Sequence, residues 1–349
     1  MNIKTGFTLF DIWQGGTDCE YMCHRIPGMI VTDKGTVIIY NEARKDSNDW
    51  ALMDIFAQRS TDHGESFGER IYLAYGSDLH HTVNNPVMMQ DKNGRIHFLY
   101  CEDYSIRGGR VLRRYSDDDG ITWSEPIDIT DGTMPHYRNA FALGPGHGVT
   151  TPDGTLIVPV WMVPKHYNSP VTKHGPSVIS TLYSRDNGET WQLGDILTTN
   201  YDILSPNETS PCLLSDGRVY LNIRTTCCYR AMAVSRNGYS DWTNYVPDKR
   251  LIDPCCFGSV SHYDDGVNPY TVLFANCENK SGRTNVVIKA SVSDTVNWEY
   301  RRVIDAERGG YVETAADPAN GLIYVLYENR GGETVHLAKI NYDWLLGKE

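Results

Sequence analysis

The stretch YSDDDGITWSE, residues 115–125, is a short acidic segment in which serine, aspartate, glycine, threonine and tryptophan stand at fixed offsets. The same order, Ser-x-Asp-x-Gly-x-Thr-Trp, recurs along the chain, and an aromatic residue follows each starting serine seven positions later. The starting serines are 56, 68, 51 and 56 residues apart, a period typical of propeller blades and not of helical solenoids. The copies are STDHGESF from Ser60, SDDDGITW from Ser116, SRDNGETW from Ser184, and two degenerate ones, SRNGYSDW from Ser235 and SVSDTVNW from Ser291.

A second periodicity comes from turn dipeptides that separate apolar, β-branched runs such as TVIIY, TLIVPVW and LIYVLYE. Asn-Gly or Asp-Gly between strands is the strongest short-range signal for a β-hairpin. We therefore predict an all-β fold, a single domain over residues 1–349 that forms a six-bladed β-propeller of about 58 residues per blade. A strand from the N-terminus should complete the sixth sheet and close the ring. The dipeptides are Lys34-Gly35, Asn93-Gly94, Asp153-Gly154, Asp216-Gly217, Asp265-Gly266 and Asn320-Gly321.

The recurring box has an architectural interpretation. Aspartate and serine or threonine side chains bond the backbone of a tight hairpin, glycine takes the positive-φ position, and the aromatic residue packs between sheets. The alternative is that the boxes bind calcium or another ligand. The first copy ends in Phe67, and the last two have lost their Asp and Gly. These departures affect the hairpins and not any chemistry.

The composition excludes several classes of function. The net charge is −12, which argues against a nucleic-acid groove or a polybasic membrane patch. No run of 18 apolar residues occurs, so no membrane insertion is expected. The nine cysteines include two adjacent pairs, fit no small-domain disulfide framework, and are interpreted as reduced core thiols. With no secretion signal in the opening residues, a cytoplasmic location is expected, or a secreted one if a leader has been removed.

The boxes together with the segment HRIPGMIVTDKGTVIIYNEAR, residues 24–44, resemble the sialidase (exo-neuraminidase) family, and the resemblance covers nearly the whole chain. In that family an Arg-Ile-Pro motif opens the first blade, and three arginines from different blades bind the carboxylate of the sugar. Planar guanidinium groups suit this task because they form bidentate bonds with a carboxylate. By the resemblance, the three are Arg25, Arg224 and Arg283.

The resemblance also implies the catalytic groups. Tyr311, in ERGGYVET, matches the nucleophile, and Glu208, in PNETSP, matches the base that takes its proton. A neutral phenol avoids the repulsion that a carboxylate nucleophile would meet at an anomeric carbon that already bears a carboxylate. The acid that protonates the leaving oxygen should follow the first hairpin, where Asp49 is the candidate and Asp46 the alternative.

Further residues match supporting positions. Arg44, at the end of NEAR, matches an arginine that contacts the sugar ring. Glu328 matches the glutamate that holds the first arginine in place. Trp161 is an additional candidate for the pocket wall, with a core position as the alternative. Glu313 stands two residues after the nucleophile, where it is expected to alter the charge of the pocket.

A metal site is not expected. His80, His81 and His147 lack the helical spacing of zinc ligands such as HExxH, and no phosphate-binding or nucleotide-binding glycine motif occurs. The resemblance likewise implies no cofactor.

The sequence thus predicts an exo-α-sialidase that removes terminal α-linked sialic acid from an oligosaccharide or glycoconjugate, by a retaining mechanism. Three alternatives stay open: a hydrolase of another 2-keto-3-deoxy sugar acid of the Kdn or Kdo type, a uronic-acid lyase on the same scaffold, and a propeller that only binds acidic glycans. Neither linkage preference nor oligomeric state follows from the sequence.

Overall fold

The computed structural model of the protein describes residues 6–16, 20–49, 51–77, 82–102, 109–165, 175–203 and 205–348. In chain order its first strands are β1 (Phe7–Gln14), β2 (Cys23–Val31), β3 (Val37–Arg44), β4 (Met53–Ser60), β5 (Ile71–Tyr75), β6 (Val83–Gln90), β7 (Ile96–Glu102), β8 (Arg110–Ser116) and β9 (Ile127–Asp128). The next are β10 (Arg138–Leu143), β11 (Gly146–His147), β12 (Val149–Thr150), β13 (Leu156–Pro164), β14 (Val178–Ser184), β15 (Gln192–Leu193), β16 (Thr209–Leu213), β17 (Val219–Ile223) and β18 (Tyr229–Ser235). The last are β19 (Val246–Ile252), β20 (Ser259–Tyr263), β21 (Thr271–Cys277), β22 (Val286–Ser291), β23 (Tyr300–Asp305), β24 (Val312–Asp317), β25 (Leu322–Asn329) and β26 (Thr334–Asn341).

The helical segments are short. Three 3-10 turns span Thr130–Thr133, Pro135–Tyr137 and Pro318–Asn320, and one α-helix, α1, spans Tyr342–Leu346. Within the described ranges, no helix has the length and apolar character needed to cross a bilayer.

The strands form six separate sheets, one per blade. Blades 1, 4 and 5 are β2–β5, β16–β19 and β20–β23, each a meander of four antiparallel strands. Blade 2 is β6–β9 with β11 added in parallel beside β6, and blade 3 is β10, β13, β14 and β15 with β12 paired to β13. Blade 6 is β24–β26, and β1 from the start of the chain pairs antiparallel with β26 as its outermost strand. The predicted six-bladed propeller, including its closing strand, is confirmed.

The hydrophobic core lies between blades. Each of six clusters of buried apolar side chains joins the strands of two consecutive blades, and the sixth joins blade 6 to blade 1. One example is the packing of Ile38 and Ile55 of blade 1 with Phe98 and Leu112 of blade 2. Burial of apolar surface on both faces of each sheet therefore keeps the blades in a closed ring.

The predicted hairpin turns are present. The six turn glycines all have φ between 66° and 90°, a region that favours glycine because it has no Cβ. They are Gly35, Gly94, Gly154, Gly217, Gly266 and Gly321.

The boxes are hairpin braces, as predicted. In the second box, Ser116 Oγ donates to Asp118 Oδ1 at 2.8 Å and accepts from the Gly120 amide at 2.8 Å. Asp118 accepts from both the amide and the hydroxyl of Thr122, at 2.8 and 2.6 Å. The boxes that start at Ser60 and Ser184 repeat this pattern. Although partial burial opposes it, these bonds lower the pKa of Asp118 to about 2.

The aromatic residue that ends each box packs into the core between two blades. Trp191 is buried between blades 2 and 3, and Trp123, Trp242, Trp298 and Phe67 pack against the other inter-blade clusters. In the fifth box, where glycine is missing, Thr295 takes a φ of 69° and its amide still donates to Ser291 Oγ at 2.9 Å. The hydrogen bond that braces the hairpin therefore forms without the glycine, although a threonine at positive φ strains the backbone.

The cysteines are only partly core residues. All eight that lie in the described ranges are free thiols, and five of them are buried, but Cys227, Cys228 and Cys255 are half-buried. Cys19 lies outside the described residues.

Candidate active site

A cavity of about 310 Å³ opens at the central axis, and every blade contributes to its wall. The contributing segments lie at one end of the ring: the start of β2, the end of β3, the start of β6, the middle of β13, and the loops beside β16, β17, β21 and β24. Seven of the residues singled out from the sequence line it, namely Arg25, Arg44, Asp49, Glu208, Arg224, Arg283 and Tyr311, and Trp161 does so too. Positions far apart in the chain therefore converge on one site.

Tyr311 stands at the centre of this group. It directly precedes β24, and only 6% of it is exposed. The guanidinium carbons of Arg25, Arg224 and Arg283 lie 5.5, 5.8 and 5.3 Å from the centre of its ring. Gly310, just before it, must lack a side chain, because a Cβ there would lie 2.5 Å from Glu328 Cγ. Three positive charges thus surround one phenol.

The hydroxyl of Tyr311 is held by a carboxylate and a guanidinium. Tyr311 Oη donates to Glu208 Oε1 at 2.6 Å and accepts from Arg224 Nη1 at 2.9 Å, while Arg224 Nη1 also donates to Glu208 Oε2. Backbone bonds from Asn207 to Arg224 and from Arg224 to Glu208 keep the two loops together. Burial, and then the negative charge of Glu208, raise the pKa of Tyr311 well above its ordinary value, so the resting side chain is a neutral phenol beside a base.

Arg25 is fixed by a buried carboxylate. Arg25 Nε donates to Glu328 Oε2 at 2.8 Å, and the Ile26 amide donates to the same oxygen at 3.3 Å. The charge of Glu328, which is fully buried, raises the pKa of Arg25 above its ordinary value. The guanidinium therefore stays charged and pointed at the cavity. The contact between Arg25 and Glu328 is the one that the family resemblance implies.

Arg283 differs from the other arginines. It lies in the loop between β21 and β22, and its guanidinium makes no hydrogen bond or ion pair within the part of the chain that the structure describes. Arg25, Arg44 and Arg224 each have a carboxylate partner, Glu328, Glu42 and Glu208. Arg283 thus presents a guanidinium without a direct carboxylate partner to the cavity, which favours an anionic ligand at this point.

Blade 1 also brings Arg44 and Asp49 to the cavity wall. Arg44 donates from Nε and Nη2 to Glu42 Oε2 at 3.0 and 2.6 Å, and from Nη1 to Asp49 Oδ1 at 2.8 Å. Asp49 is 58% exposed, so it is open to the solvent at the cavity mouth. Asp46 does not line the cavity, and its carboxylate caps a turn by accepting from the Asn48 amide at 2.6 Å. Of the two alternatives, Asp49 is the one that faces the site.

Glu313 lies outside this cavity. Its Oε1 accepts from His147 Nδ1 at 2.8 Å and from Ser259 Oγ at 2.5 Å, deeper along the axis. His147 Nε2 lies 2.9 Å from the Pro211 carbonyl oxygen, so both ring nitrogens face an acceptor. Only the protonated imidazole can donate a hydrogen bond from both nitrogens at once. Burial opposes this charge, but Glu313 raises the pKa of His147 above its ordinary value. The charge of Glu313 is paired with His147, and the expectation that it alters the charge of the pocket is not supported by its position.

Sequence reasoning did not single out six residues of the wall, which are Ile26, Glu42, Ser47, Asn84, Asn85 and Asn207. Glu42 lies two residues before Arg44 on β3, on the same face, and that spacing was a usable signal. Asn84 and Asn85 have no such signal, because β6 bulges at this point and its register with β7 shifts between Asn84 and Val87.

The described residues contain no group of three or more His, Cys, Asp or Glu side chains arranged to hold a metal ion. His80 and His81 lie outside the described residues.

Comparison with known proteins agrees with this fold. A family model described as BNR repeat-like domain matches residues 69–325. A sialidase from Bacteroides fragilis is 26% identical over 313 residues, which cover 80% of this chain and 55% of the relative, so the chain spans about half of that protein. An exo-alpha-sialidase from Arthroderma benhamiae is 26% identical over 366 residues, covering 92% of this chain and 84% of the relative.

Solved structures agree with these relatives. The structure described as Hadza microbial sialidase Hz136 superposes with a TM-score of 0.84 at 25% identity, covering 95% of this chain and 68% of the other. An intramolecular trans-sialidase from Ruminococcus gnavus has a TM-score of 0.80 at 18% identity, covering 96% of this chain and 98% of the other, and supports the fold alone. The resemblance that the boxes and the Arg-Ile-Pro motif indicated is confirmed.

Proposed function

The chain belongs to the family of BNR repeat-like domains, and from that premise we propose that it is an exo-α-sialidase, which hydrolyses terminal α-linked sialic acid from glycans. The observation that carries the proposal is the convergence of three guanidinium groups, from blades 1, 4 and 5, on the ring of Tyr311. The names of the relatives from Bacteroides fragilis and Arthroderma benhamiae support it.

Substrate binding follows from the charges. Sialic acid has a carboxylate on its anomeric carbon, and the guanidinium groups of Arg25, Arg224 and Arg283 bind it by charge-assisted, bidentate hydrogen bonds. Among the described residues no carboxylate pairs with Arg283, so its guanidinium can use all its donors to bind the substrate carboxylate. Binding of the carboxylate brings the anomeric carbon to Tyr311.

The first chemical step is displacement by the tyrosine. Glu208 Oε1, 2.6 Å from Tyr311 Oη, takes the phenolic proton as the phenol oxygen bonds to the anomeric carbon. The bond to the leaving oxygen breaks, and Asp49 gives that oxygen a proton. Arg224, which donates to Tyr311 Oη, stabilises the negative charge that develops there.

The second step regenerates the enzyme. Asp49, now a carboxylate, takes a proton from water, and the resulting nucleophile attacks the anomeric carbon from the face that the leaving group left. The bond to Tyr311 breaks, and the phenol oxygen recovers its proton from Glu208. Two displacements at one carbon give net retention of configuration.

The proposal is tested by Tyr311→Phe, with Tyr342→Phe as the control. Turnover of an aryl α-sialoside should fall by orders of magnitude in the first variant, because the nucleophile is removed while the ring remains. Tyr342 is a buried tyrosine that hydrogen-bonds Thr271 away from the cavity, and its variant should retain activity. Proton NMR of the wild-type reaction should show the α-anomer as the first product.

Full activity of Tyr311→Phe would contradict the tyrosine mechanism. Wild-type protein that hydrolyses Kdn or Kdo glycosides and leaves sialosides intact would instead identify the other 2-keto-3-deoxy sugar acid as substrate. An ultraviolet-absorbing, unsaturated product would identify a lyase, and binding without turnover would identify a glycan-binding propeller.

A further inference from the structure

Glu42 is a buried carboxylate that pairs with Arg44 in the cavity wall. Only 1% of its side chain is exposed, and its Oε2 accepts from Nε and Nη2 of Arg44 at 3.0 and 2.6 Å. Its Oε1 accepts from the backbone amide of Asn85 on blade 2 at 2.7 Å. Since both oxygens are bonded to the protein and the side chain is almost inaccessible, we expect Glu42 to act through Arg44 and not by touching a substrate.

Arg44 connects this carboxylate to the proposed acid. Its remaining guanidinium nitrogen, Nη1, donates to Asp49 Oδ1 at 2.8 Å. One guanidinium is therefore shared by two carboxylates, of which Glu42 is buried and Asp49 is 58% exposed. The three charged groups link the interior of blade 1 to the mouth of the cavity.

The hydrogen bonds around Glu42 indicate that it is ionised. All three come from N–H groups, which suits an ionised carboxylate because it only accepts. Burial raises the pKa of Glu42, and the charge of Arg44 and the amide of Asn85 oppose that rise. Burial alone would lower the pKa of Arg44, but the charge of Glu42 acts against it and the pKa is raised. Removal of Glu42 would therefore leave a buried positive charge beside Asp49.

The proton on Asp49 depends on the balance of these charges if the proposed function is correct, and the inference rests on it. As the acid, Asp49 must hold a proton until the leaving oxygen departs. A guanidinium that donates to a carboxylate favours its charged form, and the charge of Arg25 acts in the same direction. The negative charge of Glu42 acts in the opposite direction. The other charged side chains of the same loop have different partners, Lys45 with Glu20 and Asp46 with the Asn48 amide.

We propose that Glu42 is a positioning residue, which holds Arg44 against Asp49 and offsets its charge so that Asp49 carries a proton near neutral pH. Without Glu42, Asp49 loses its proton at a lower pH, and only substrates whose leaving oxygen needs that proton are affected. The oxygen of lactose needs one, whereas the oxygen of 4-nitrophenol does not. A purely structural role of Glu42 would instead impair both kinds of substrate alike.

The test is the pH dependence of kcat/KM for sialyllactose and for a 4-nitrophenyl α-sialoside, measured with the wild-type protein and with Glu42→Gln. The basic limb of such a profile reports the loss of the proton from an essential acid of the free enzyme. For sialyllactose, Glu42→Gln should move this limb to lower pH by about one unit, a modest shift because Asp49 is 58% exposed and solvent screens the charge. For the nitrophenyl substrate the limb should stay where it is in the wild-type protein.

Glu189→Gln is the matched control, because Glu189 also pairs with a buried arginine, Arg113, but does not line the cavity. It should leave both profiles unchanged. Should Glu42→Gln not fold, Glu42→Ala removes the same charge and leaves room for water beside Arg44, and the same shift is expected.

A basic limb for sialyllactose that does not move in the Glu42 variant overturns the inference, and so does one that moves equally for both substrates. Both results leave the proposed function intact, because the wild-type protein still hydrolyses sialosides. Wild-type protein that hydrolyses neither substrate contradicts the proposed function, and the inference with it.

Discussion

At the scale of single residues, the proposed role of Asp49 as the acid can be tested directly with a variant. Asp49 is open to solvent at the cavity mouth and hydrogen-bonds Arg44, whereas Asp46 caps a turn away from the cavity. Asp49→Asn should lower kcat for release of sialic acid from sialyllactose by about 10²- to 10⁴-fold, because the lactose oxygen then leaves without a proton. A 4-nitrophenyl leaving group needs no proton, so the step that forms the tyrosyl bond should be much less affected.

Asp46→Asn provides the comparison for this measurement, since it makes the same chemical change three residues earlier in the same loop. It should hydrolyse sialyllactose at close to the wild-type rate. A large loss in Asp46→Asn together with a small one in Asp49→Asn would assign the acid to Asp46.

The site residues differ in how far the sequence could predict them. Arg25 and Arg44 lie in the segment 24–44, and Tyr311 follows a glycine pair, so local motifs were enough to select them. Asn84 was not predictable. Its orientation depends on a bulge in β6 and on Asn85 at a φ of 52°, and the simple alternation of a strand gives no indication of either. The pairing of Glu313 could not be predicted either, because its partner His147 lies 166 residues away in the sequence.

At the scale of single elements, the box makes a testable contribution to stability. Asp118 accepts from the Thr122 amide, the Thr122 hydroxyl and the Ser116 hydroxyl. Asp118→Ala should lower the free energy of unfolding by about 1–3 kcal/mol, because it leaves hairpin donors without their acceptor. The neighbouring Asp117 only pairs with Arg95 at the surface, so Asp117→Ala should cost less than about 1 kcal/mol. Urea denaturation measures both, and equal losses would contradict the bracing role.

The elements were largely predictable where turn chemistry repeats. Each of the six hairpin glycines and the three well-kept boxes adopts the geometry that its local sequence dictates. The longest spacing between boxes, from Ser116 to Ser184, contains elements that the sequence did not predict. It contains two 3-10 turns and the two-residue strands β11 and β12, and a strand of two residues has no alternation from which it could be recognised.

At the scale of the whole molecule, the ion pair between His147 and Glu313 joins blades across the axis. Glu313 on blade 6 binds His147 beside blade 2 and Ser259 on blade 5, and His147 donates to the carbonyl of Pro211 on blade 4. The pKa of His147 is raised in the folded state, so this contribution to stability is fully present below the unfolded value of about 6.5. It is lost as the pH rises through the folded value.

Thermal unfolding between pH 6 and pH 9 should therefore show a falling Tm for the wild-type protein. The double variant His147→Gln, Glu313→Gln keeps hydrogen-bonding groups but removes both charges, and it should lack this part of the pH dependence. Identical profiles for the two proteins would contradict a protonated His147 in the folded state.

The pairing of β1 with β26 brings Phe7 opposite Ile340, and it has a consequence for biosynthesis. The ribosome synthesises β1 before β26, and more than 300 residues separate the two strands along the chain. Tyr311 belongs to the same late portion of the polypeptide, so a nascent chain interrupted before blade 6 has neither a finished torus nor a nucleophile. Completion of the catalytic centre therefore coincides with the pairing of β1 and β26 that closes the ring. Until β26 has been synthesised, β1 lacks its partner strand, and this is the period in which the nascent chain most needs protection by chaperones.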